Sequence, residues 1–286
     1  MEITPAAPVW SALNPAIASE LRDARLQLHY AAQFATALGI SYLAPRPDDS
    51  HTNLGWDSKL EALRSRDVRA LSHAVCVAVK PRDLTLIVLL DGTIGQRIPL
   101  HGSTIAQAEA ELRCALTAAG LDGRRLTLQR HYNLPPHPVA GRDPFDARRS
   151  NDFAELAHWY GNSAMILDAL RARIGGAEVR CWPHHFDIAT ITTIAPGRSC
   201  GAGMLPGDAM YPEPYYYVNA YPRPEGELTS TPLRGGGVWN TEDWFGAVLT
   251  ASRLSADPAA QATQVGDFLD SAIDRCSAAL SGQHAN

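Results

Sequence analysis

The chain has 286 residues, of which 45% are hydrophobic and 19% are charged, a balance that favours a globular protein with a substantial core. Its formal net charge of −5 argues against a nucleic-acid partner, and no apolar run approaches the ~20 residues that a membrane-spanning helix requires. The N-terminus, MEITPAAPVW, lacks the basic and apolar regions of a signal peptide, so we expect a cytoplasmic protein with no membrane partner.

The cysteines do not follow the pattern of a disulfide framework or of a zinc site. They are five in number and too widely spaced for a Cys-x-x-Cys motif: Cys76, Cys114, Cys181, Cys200 and Cys276. We therefore expect reduced thiols, most of them buried as small apolar side chains.

The first helix of the N-terminal half, residues 1–132, is predicted to begin at Asn14-Pro15. Asn14 is a good N-cap and Pro15 suits the first helical position. Apolar residues repeat at helical spacing from Ile17 onward, and Gly39 is placed as the residue just after the end of the helix.

Short turns then separate a series of apolar runs, which predict antiparallel strands because so few residues connect them. The predicted strands cover residues 73–80, 84–90, 94–100 and, after a second helix, 126–132. That second helix is predicted to be capped by Ser103 or Thr104, with Gln107 completing a capping box from Thr104, and to end near Gly120.

Residues 133–150 are rich in proline and arginine and predict either a linker or an extended strap across the surface. The C-terminal half, residues 151–286, then begins with a helix that Asp152 and Glu155 open and Gly175 closes. Apolar runs predict strands at 178–193, 199–205 and 214–221, with a further apolar segment at 244–251. Asp257-Pro258 is predicted to cap a last helix that ends near residue 281.

Both halves thus follow the order helix, strands, helix, which suggests an internal duplication. LQLHYAAQF (26–34) resembles LAHWYGNSA (156–164), with His29 matched to His158. Trp56-Asp57 lies 27 residues after His29, and Phe186-Asp187 lies 28 residues after His158. We predict an α+β fold with antiparallel sheets covered by long helices, either as two pseudo-repeated halves or as one combined domain.

Several segments together resemble a bacterial family of uncharacterised proteins, known as a domain of unknown function. The segments are DGTIGQRIPL, the helix around His158, HHFDIATIT and PYYYVNAYP. The family carries an aromatic residue followed by Phe-Asp-Leu-Ala, where this chain has Phe186-Asp187-Ile188-Ala189. The chain departs from the family at GWDSKLEAL (55–63), where the family is more aromatic, and the resemblance implies a lineage but no mechanism.

The segment RCWPHHFDIAT (180–190) is the first candidate site. If it is one continuous strand, His184 faces the core and His185 projects beside Asp187 on the opposite face. Such a pair could act as a general base with its orienting carboxylate, or bind a metal. The alternative is a structural hydrogen bond between His185 and Asp187.

A glycine- and proline-rich loop after this segment contributes two carboxylates, Asp208 and Glu213. Together with His185 and Asp187 they form a candidate ligand set for a divalent metal such as Zn, Mn or Fe. The alternative is that Asp208 closes an Asx turn and Glu213 is solvated.

The strand PYYYVNAYP presents Tyr215, Tyr217 and Asn219 on one face, which suits contact with a small organic ligand. Packing of the tyrosines beside a sheet is the alternative. No sequence motif of an α/β-hydrolase, a dinucleotide-binding site, a P-loop or a zinc protease is present. The sequence therefore predicts a small-molecule site, either with or without a metal, in a polar cleft of the C-terminal half. The alternative function is a non-catalytic structural or protein-interaction module, and the sequence does not decide whether the protein is an enzyme.

Overall fold

The computed structural model describes residues 9–70, 72–224, 232–242 and 244–282. Within these ranges the chain forms two antiparallel sheets of six strands each, packed with four α-helices, as the sequence predicts. No helix in the described ranges is both long and apolar enough to cross a membrane.

The first sheet is built from the N-terminal half. Its strands are β1 (Gly55–Asp57), β2 (Ala62–Arg64), β3 (Val68–Ala70), β4 (His73–Lys80), β5 (Thr85–Leu90) and β6 (Thr93–Pro99). The order across the sheet is β1-β2-β4-β5-β6, and β3 pairs with β4 beside this path. The helices of this half are α1 (Arg22–Tyr42) and α2 (Ile105–Ala118).

The second sheet is built from the C-terminal half. Its strands are β7 (Arg180–Trp182), β8 (Asp187–Ala195), β9 (Arg198–Leu205), β10 (Tyr215–Tyr221), β11 (Val238–Asn240) and β12 (Gly246–Thr250). The order across the sheet is β11-β12-β10-β9-β8-β7. Helices α3 (Ser150–Ile174) and α4 (Pro258–Ser281) precede and follow these strands.

The helix-capping predictions are largely confirmed. Thr104 and Gln107 form a complete capping box on α2, and the side chain of Asp257 caps α4. Gly175 ends α3 in the left-handed conformation. Each of these residues satisfies a backbone group, or adopts a backbone conformation, that a helix end requires.

The first helix begins as predicted but ends later. Asn14 caps a 3-10 helix, Pro15–Leu21, that runs directly into α1. Gly39 lies inside α1. A Cβ at this position would lie 2.2 Å from the backbone oxygen of His51. The glycine therefore permits close packing of the helix on a loop and does not end the helix.

Two predicted strands are wrong. Residues 126–132 have no regular strand; they belong to the extended segment that crosses the surface of α1, where the Tyr30 hydroxyl donates to the Pro135 carbonyl at 3.0 Å. The predicted strand 178–193 is a hairpin, because the turn 183–186 separates β7 from β8. Proline at 183 lacks the N–H that a continuous strand would use.

The two halves share one hydrophobic core and contact each other through buried polar groups. Leu54 and Cys181 exchange backbone hydrogen bonds of 2.9 and 2.8 Å, which joins the edges of the two sheets. The Gln261 side chain of α4 accepts from the Leu13 N–H at 2.9 Å and donates to the Leu13 carbonyl at 2.8 Å. Helix α1 is buried along almost its whole length, where it packs on strands β2 to β5 of the first sheet and against α3.

Candidate functional site

The turn between β7 and β8 presents Pro183, His184, His185 and Phe186 towards α1. Its backbone closes when the Phe186 N–H donates to the Trp182 carbonyl at 2.7 Å. Phe186 has a φ of +66°, an unusual conformation for a non-glycine residue, yet its side chain is buried. The strand alternation that placed His185 beside Asp187 therefore does not apply.

His29 of α1 holds this turn in place. Its ring stacks on Phe186, with centroids 4.5 Å apart and an interplanar angle of 2°. Its Nε2 lies 2.8 Å from the Pro183 carbonyl oxygen, which can only accept, so Nε2 carries the proton. Burial lowers the pKa of His29 to about 4. The ring is thus neutral at pH 7.

The two histidines of the turn differ in exposure. His184 is half-buried and contacts the ring of Tyr132, and burial lowers the pKa of its imidazole. His185 is exposed, and its ring centroid lies 4.4 Å from that of His184. The pair therefore offers ring nitrogens at the surface of the turn, and His185 lies close enough to Asp187 for its charge to favour the ionised carboxyl and lower the pKa of Asp187.

Asp187 follows the turn and is buried at the start of β8. Its Oδ2 accepts from the Tyr217 hydroxyl at 2.6 Å, whereas Oδ1 has no hydrogen-bond partner in the described part of the chain. Burial raises the pKa of the Asp187 carboxyl, although the hydrogen bond from Tyr217 opposes this effect. Asp187 is therefore paired with a residue of the predicted tyrosine face.

Asp208 forms a second pair with that face. Its Oδ2 accepts from the Tyr215 hydroxyl at 2.8 Å, and its Oδ1 accepts from the N–H groups of Met210 and Tyr211, each at 2.8 Å. The latter contacts are those of the Asx turn considered as the alternative. The rings of Tyr215 and Tyr217 lie 6.4 Å apart, so the two Tyr–Asp pairs are neighbours on β10.

The other two predicted site residues serve elsewhere. Both oxygens of Glu213 accept from Ser252, one from its N–H at 2.6 Å and one from its hydroxyl at 2.8 Å. The Asn219 side chain is exposed and accepts from the Gly201 N–H at 3.1 Å. Neither contact points to a ligand.

No three His, Cys, Asp or Glu side chains among the described residues form a group that could hold a metal ion. The predicted metal set of His185, Asp187, Asp208 and Glu213 is therefore not assembled. Its carboxylates instead accept from hydroxyl and backbone N–H donors, with Asp187 Oδ1 the oxygen left without a partner among the described residues.

Arg25 of α1 is the site residue that the sequence analysis missed. Its side chain is only 6% exposed, yet its Nε and Nη1 have no hydrogen-bond partner within the residues described. Burial lowers the pKa of Arg25, and the nearby Asp208 carboxylate opposes this effect. Arg25 and His29 are four residues apart, so they lie on one face of α1.

A cleft of about 530 Å³ opens beside Arg25. We call it the α1–turn cleft; it is lined by residues of α1 from Arg22 to His29, by 133–136, by 184–186 and by 205–209. Gly207 lets the loop approach, because a Cβ there would lie 2.5 Å from Arg25 Nη1. The cleft thus lies between the two halves, whereas the sequence analysis placed it in the C-terminal half alone.

The sequence signal for Arg25 is weak but present. Residues 24–35 of α1 are mostly small or apolar, and Arg25 and His29 interrupt them at helical spacing. Burial on all sides of the helix, which turns such residues into buried polar groups, is a tertiary property. It cannot be read from the periodicity of this segment.

Comparison of the chain with family models, with curated proteins and with solved structures found no match. The family resemblance through Phe186-Asp187-Ile188-Ala189 therefore stays a prediction, and the function has to be argued from the geometry of the cleft.

Proposed function

We propose that this protein binds a small anionic molecule in the α1–turn cleft, with Arg25 as the residue that receives the anionic group. The observation that carries the proposal is the buried guanidinium of Arg25, with two nitrogens that lack a described partner. A buried charge without acceptors destabilises a folded protein by roughly several kcal/mol. A ligand that supplies the missing acceptors would remove this cost.

The walls of the cleft indicate the kind of molecule that fits. Leu26, Leu134, Pro135, Pro136 and Leu205 offer apolar surface. His184 and His185 line the cleft as well and supply ring nitrogens for polar groups. A compact organic molecule with one carboxylate or phosphate group matches this combination of two arginines, Arg22 and Arg25, with apolar walls and imidazoles.

The Tyr–Asp pair of Tyr215 and Asp208 contributes to the site. Asp208 lines the cleft, binds Tyr215 and provides the negative charge that keeps Arg25 protonated in a buried position. Whether the bound molecule reacts is a separate question, in which His184 and His185 are the first residues to test. The alternative is that Arg25 binds no ligand and only stabilises the fold, through its interaction with Asp208.

Replacement of Arg25 by methionine distinguishes these readings. Because the variant removes a buried charge with unpartnered donors and keeps the length of the side chain, while Asp208 retains its hydrogen bonds from Tyr215 and two backbone N–H groups, we expect a stability close to that of wild type. Thermal unfolding is to be recorded with a panel of small carboxylates and phosphate esters. We expect at least one compound to raise the Tm of wild type and to leave Arg25→Met unchanged.

Arg69→Gln is the matched control, because Arg69 is an exposed arginine of β3. This variant should respond to the compounds as wild type does. A marked loss of stability in Arg25→Met, with no compound that distinguishes it from wild type, would assign Arg25 a structural role and overturn the proposal.

A further inference from the structure

A second cavity, of about 700 Å³, opens where β1 and β7 meet at the joined edges of the two sheets. We call it the β1–β7 cavity; its walls include Trp56, Arg64, Arg66, Glu178 and Arg180. It shares no described lining residue with the α1–turn cleft. Any ligand bound here is therefore independent of the proposed function.

Two arginines share one carboxylate in this cavity. Arg180 Nη2 lies 2.9 Å from Glu178 Oε1, and Arg66 Nη2 lies 3.7 Å from Glu178 Oε2. Burial and the adjacent charge of Arg180 lower the pKa of Arg66. The Nε of Arg180 is buried and has no hydrogen-bond partner among the described residues. The guanidinium groups of Arg66 and Arg180 thus share the Glu178 carboxylate, and the Nε of Arg180 has no acceptor among the described residues.

The other acidic residues of the cavity have partners of their own. Asp67 pairs with Arg64, and Asp168 pairs with Arg171 at 2.8 Å. Asp57 accepts from the backbone N–H groups of residues 59 and 60 at 3.0 and 3.1 Å. None of these three carboxylates makes an ion pair with Arg66 or Arg180, so among the described residues Glu178 is the carboxylate that the two arginines share.

We propose that the β1–β7 cavity binds the phosphate group of a small molecule between Arg66 and Arg180. A phosphate offers several acceptor oxygens and up to two negative charges, which two guanidinium groups can share. Glu178, which is 64% exposed, acts as an internal competitor that occupies the arginines when no ligand is bound. The Lys59 side chain at the rim adds a further cation.

Gly55 of β1 makes room for Arg180. A Cβ at this position would lie 2.5 Å from Arg180 Nη1, which is the far end of a flexible side chain. Gly55→Ala should therefore displace the guanidinium while the backbone of β1 stays in place. This substitution tests the position of the charge without removing it.

The test is a titration of the full chain with inorganic phosphate and with glycerol phosphate, followed by tryptophan fluorescence, since Trp56 lines the cavity. We expect saturable binding that Arg180→Gln weakens about tenfold or more, because hydrogen bonds to a charged group are lost. Gly55→Ala should weaken binding as well. Glu178→Gln should tighten it, because the competing carboxylate is gone.

The controls tie the signal to this cavity. Arg97→Gln, at an exposed arginine of β6 outside the cavity lining, should bind phosphate with the wild-type Kd, whereas Trp56→Phe should bind but lose most of the fluorescence change. Absence of saturable binding, an unchanged Kd in Arg180→Gln, or weaker binding in Glu178→Gln would each overturn the proposal. Equal affinity for acetate would overturn the assignment to phosphate.

Discussion

His29 lies at the centre of the contacts between α1 and the turn 183–186, and its protonation state couples that contact to pH. In the folded protein its pKa is about 4, compared with an ordinary value of 6.5. Between these values the unfolded chain binds a proton that the folded protein excludes. The stability that neutral His29 contributes is therefore complete above pH 6.5 and is lost as the pH falls towards 4.

We predict that this loss amounts to roughly 3 kcal/mol of the free energy of unfolding, since one pKa unit corresponds to about 1.4 kcal/mol. Urea unfolding of wild type and His29→Gln at pH 7.5, 5.5 and 4.0 measures it. The decrease should be larger in wild type than in the variant, because glutamine can still donate to the Pro183 carbonyl but does not titrate.

Other groups contribute to the same pH range, so the difference between the two proteins is the quantity that matters. The lowered pKa of His184 acts in the same direction. The raised pKa of Asp187 acts in the opposite direction, because its folded form holds a proton that the unfolded form releases. Identical pH dependence in wild type and His29→Gln would contradict the prediction.

At the level of residues, the sequence predicted which side chains share the polar face of β10 better than it predicted the contacts that they make. Alternation placed Tyr215 and Tyr217 on one face of β10, and each of these tyrosines donates to one of the predicted aspartates. The partner of Asp187 could not be predicted, because His185 lies in the turn 183–186 and not on β8. Arg25 could not be predicted either, since its burial depends on packing by the other half.

Elements differ in how closely they pack, and two helical glycines show this. Gly39 in α1 faces the backbone of the loop at residues 51 and 52, where a Cβ would lie 2.2 Å from the His51 oxygen. Gly266 in α4 faces only the Ile166 side chain, with its Cδ1 at 3.9 Å. Alanine is the better helix former at both positions, so only the packing distinguishes them.

We predict that Gly39→Ala destabilises the protein by about 1–3 kcal/mol or more, because backbone atoms of the loop must move. Gly266→Ala should instead stabilise it by about 0.5–1 kcal/mol, because the substitution adds no clash and removes the glycine's conformational entropy. Chemical denaturation of both variants measures the difference. Stabilisation by both substitutions would show that the loop is not fixed against α1.

The elements that the sequence predicted are those with long periodic patterns and recognisable caps, such as α2, α3 and α4. The three-residue strands β1, β2 and β3 were missed, because they are too short for a period of two to emerge. Residues 126–132 alternate like a strand but pair with no strand in the described part of the chain. Their extended conformation is fixed instead by side-chain contacts such as that of Tyr132 with Gln33, at 2.8 Å.

On the scale of the whole molecule, the helix of each half packs on an aromatic residue of the other half. Phe186 stacks on His29 of α1, and Trp56 stacks on Tyr160 of α3, with centroids 6.3 Å apart. Trp56 and Phe186 are the residues that the suspected duplication places at equivalent positions. The duplication stays a prediction, and this reciprocal packing supports it.

Reciprocal packing also makes the halves depend on each other, and so we predict that residues 1–132 and 151–286 unfold together. Separation would expose α1, which is buried along most of its length, and would break the paired hydrogen bonds of Leu13 with Gln261 and of Leu54 with Cys181. Separation exposes these groups to water, so each lost hydrogen bond costs about 0.5–1.5 kcal/mol net, and the apolar surface of α1 that becomes exposed costs about 25 cal/mol per Å² in addition.

Urea unfolding followed by circular dichroism and by tryptophan fluorescence tests this dependence, since both signals should change in one transition with the same midpoint. The fragments 1–132 and 151–286, expressed separately, should show no cooperative unfolding, and mixing them should restore it. Two resolved transitions, or one fragment that unfolds cooperatively by itself, would mean that the polar contacts between the halves join two independent domains.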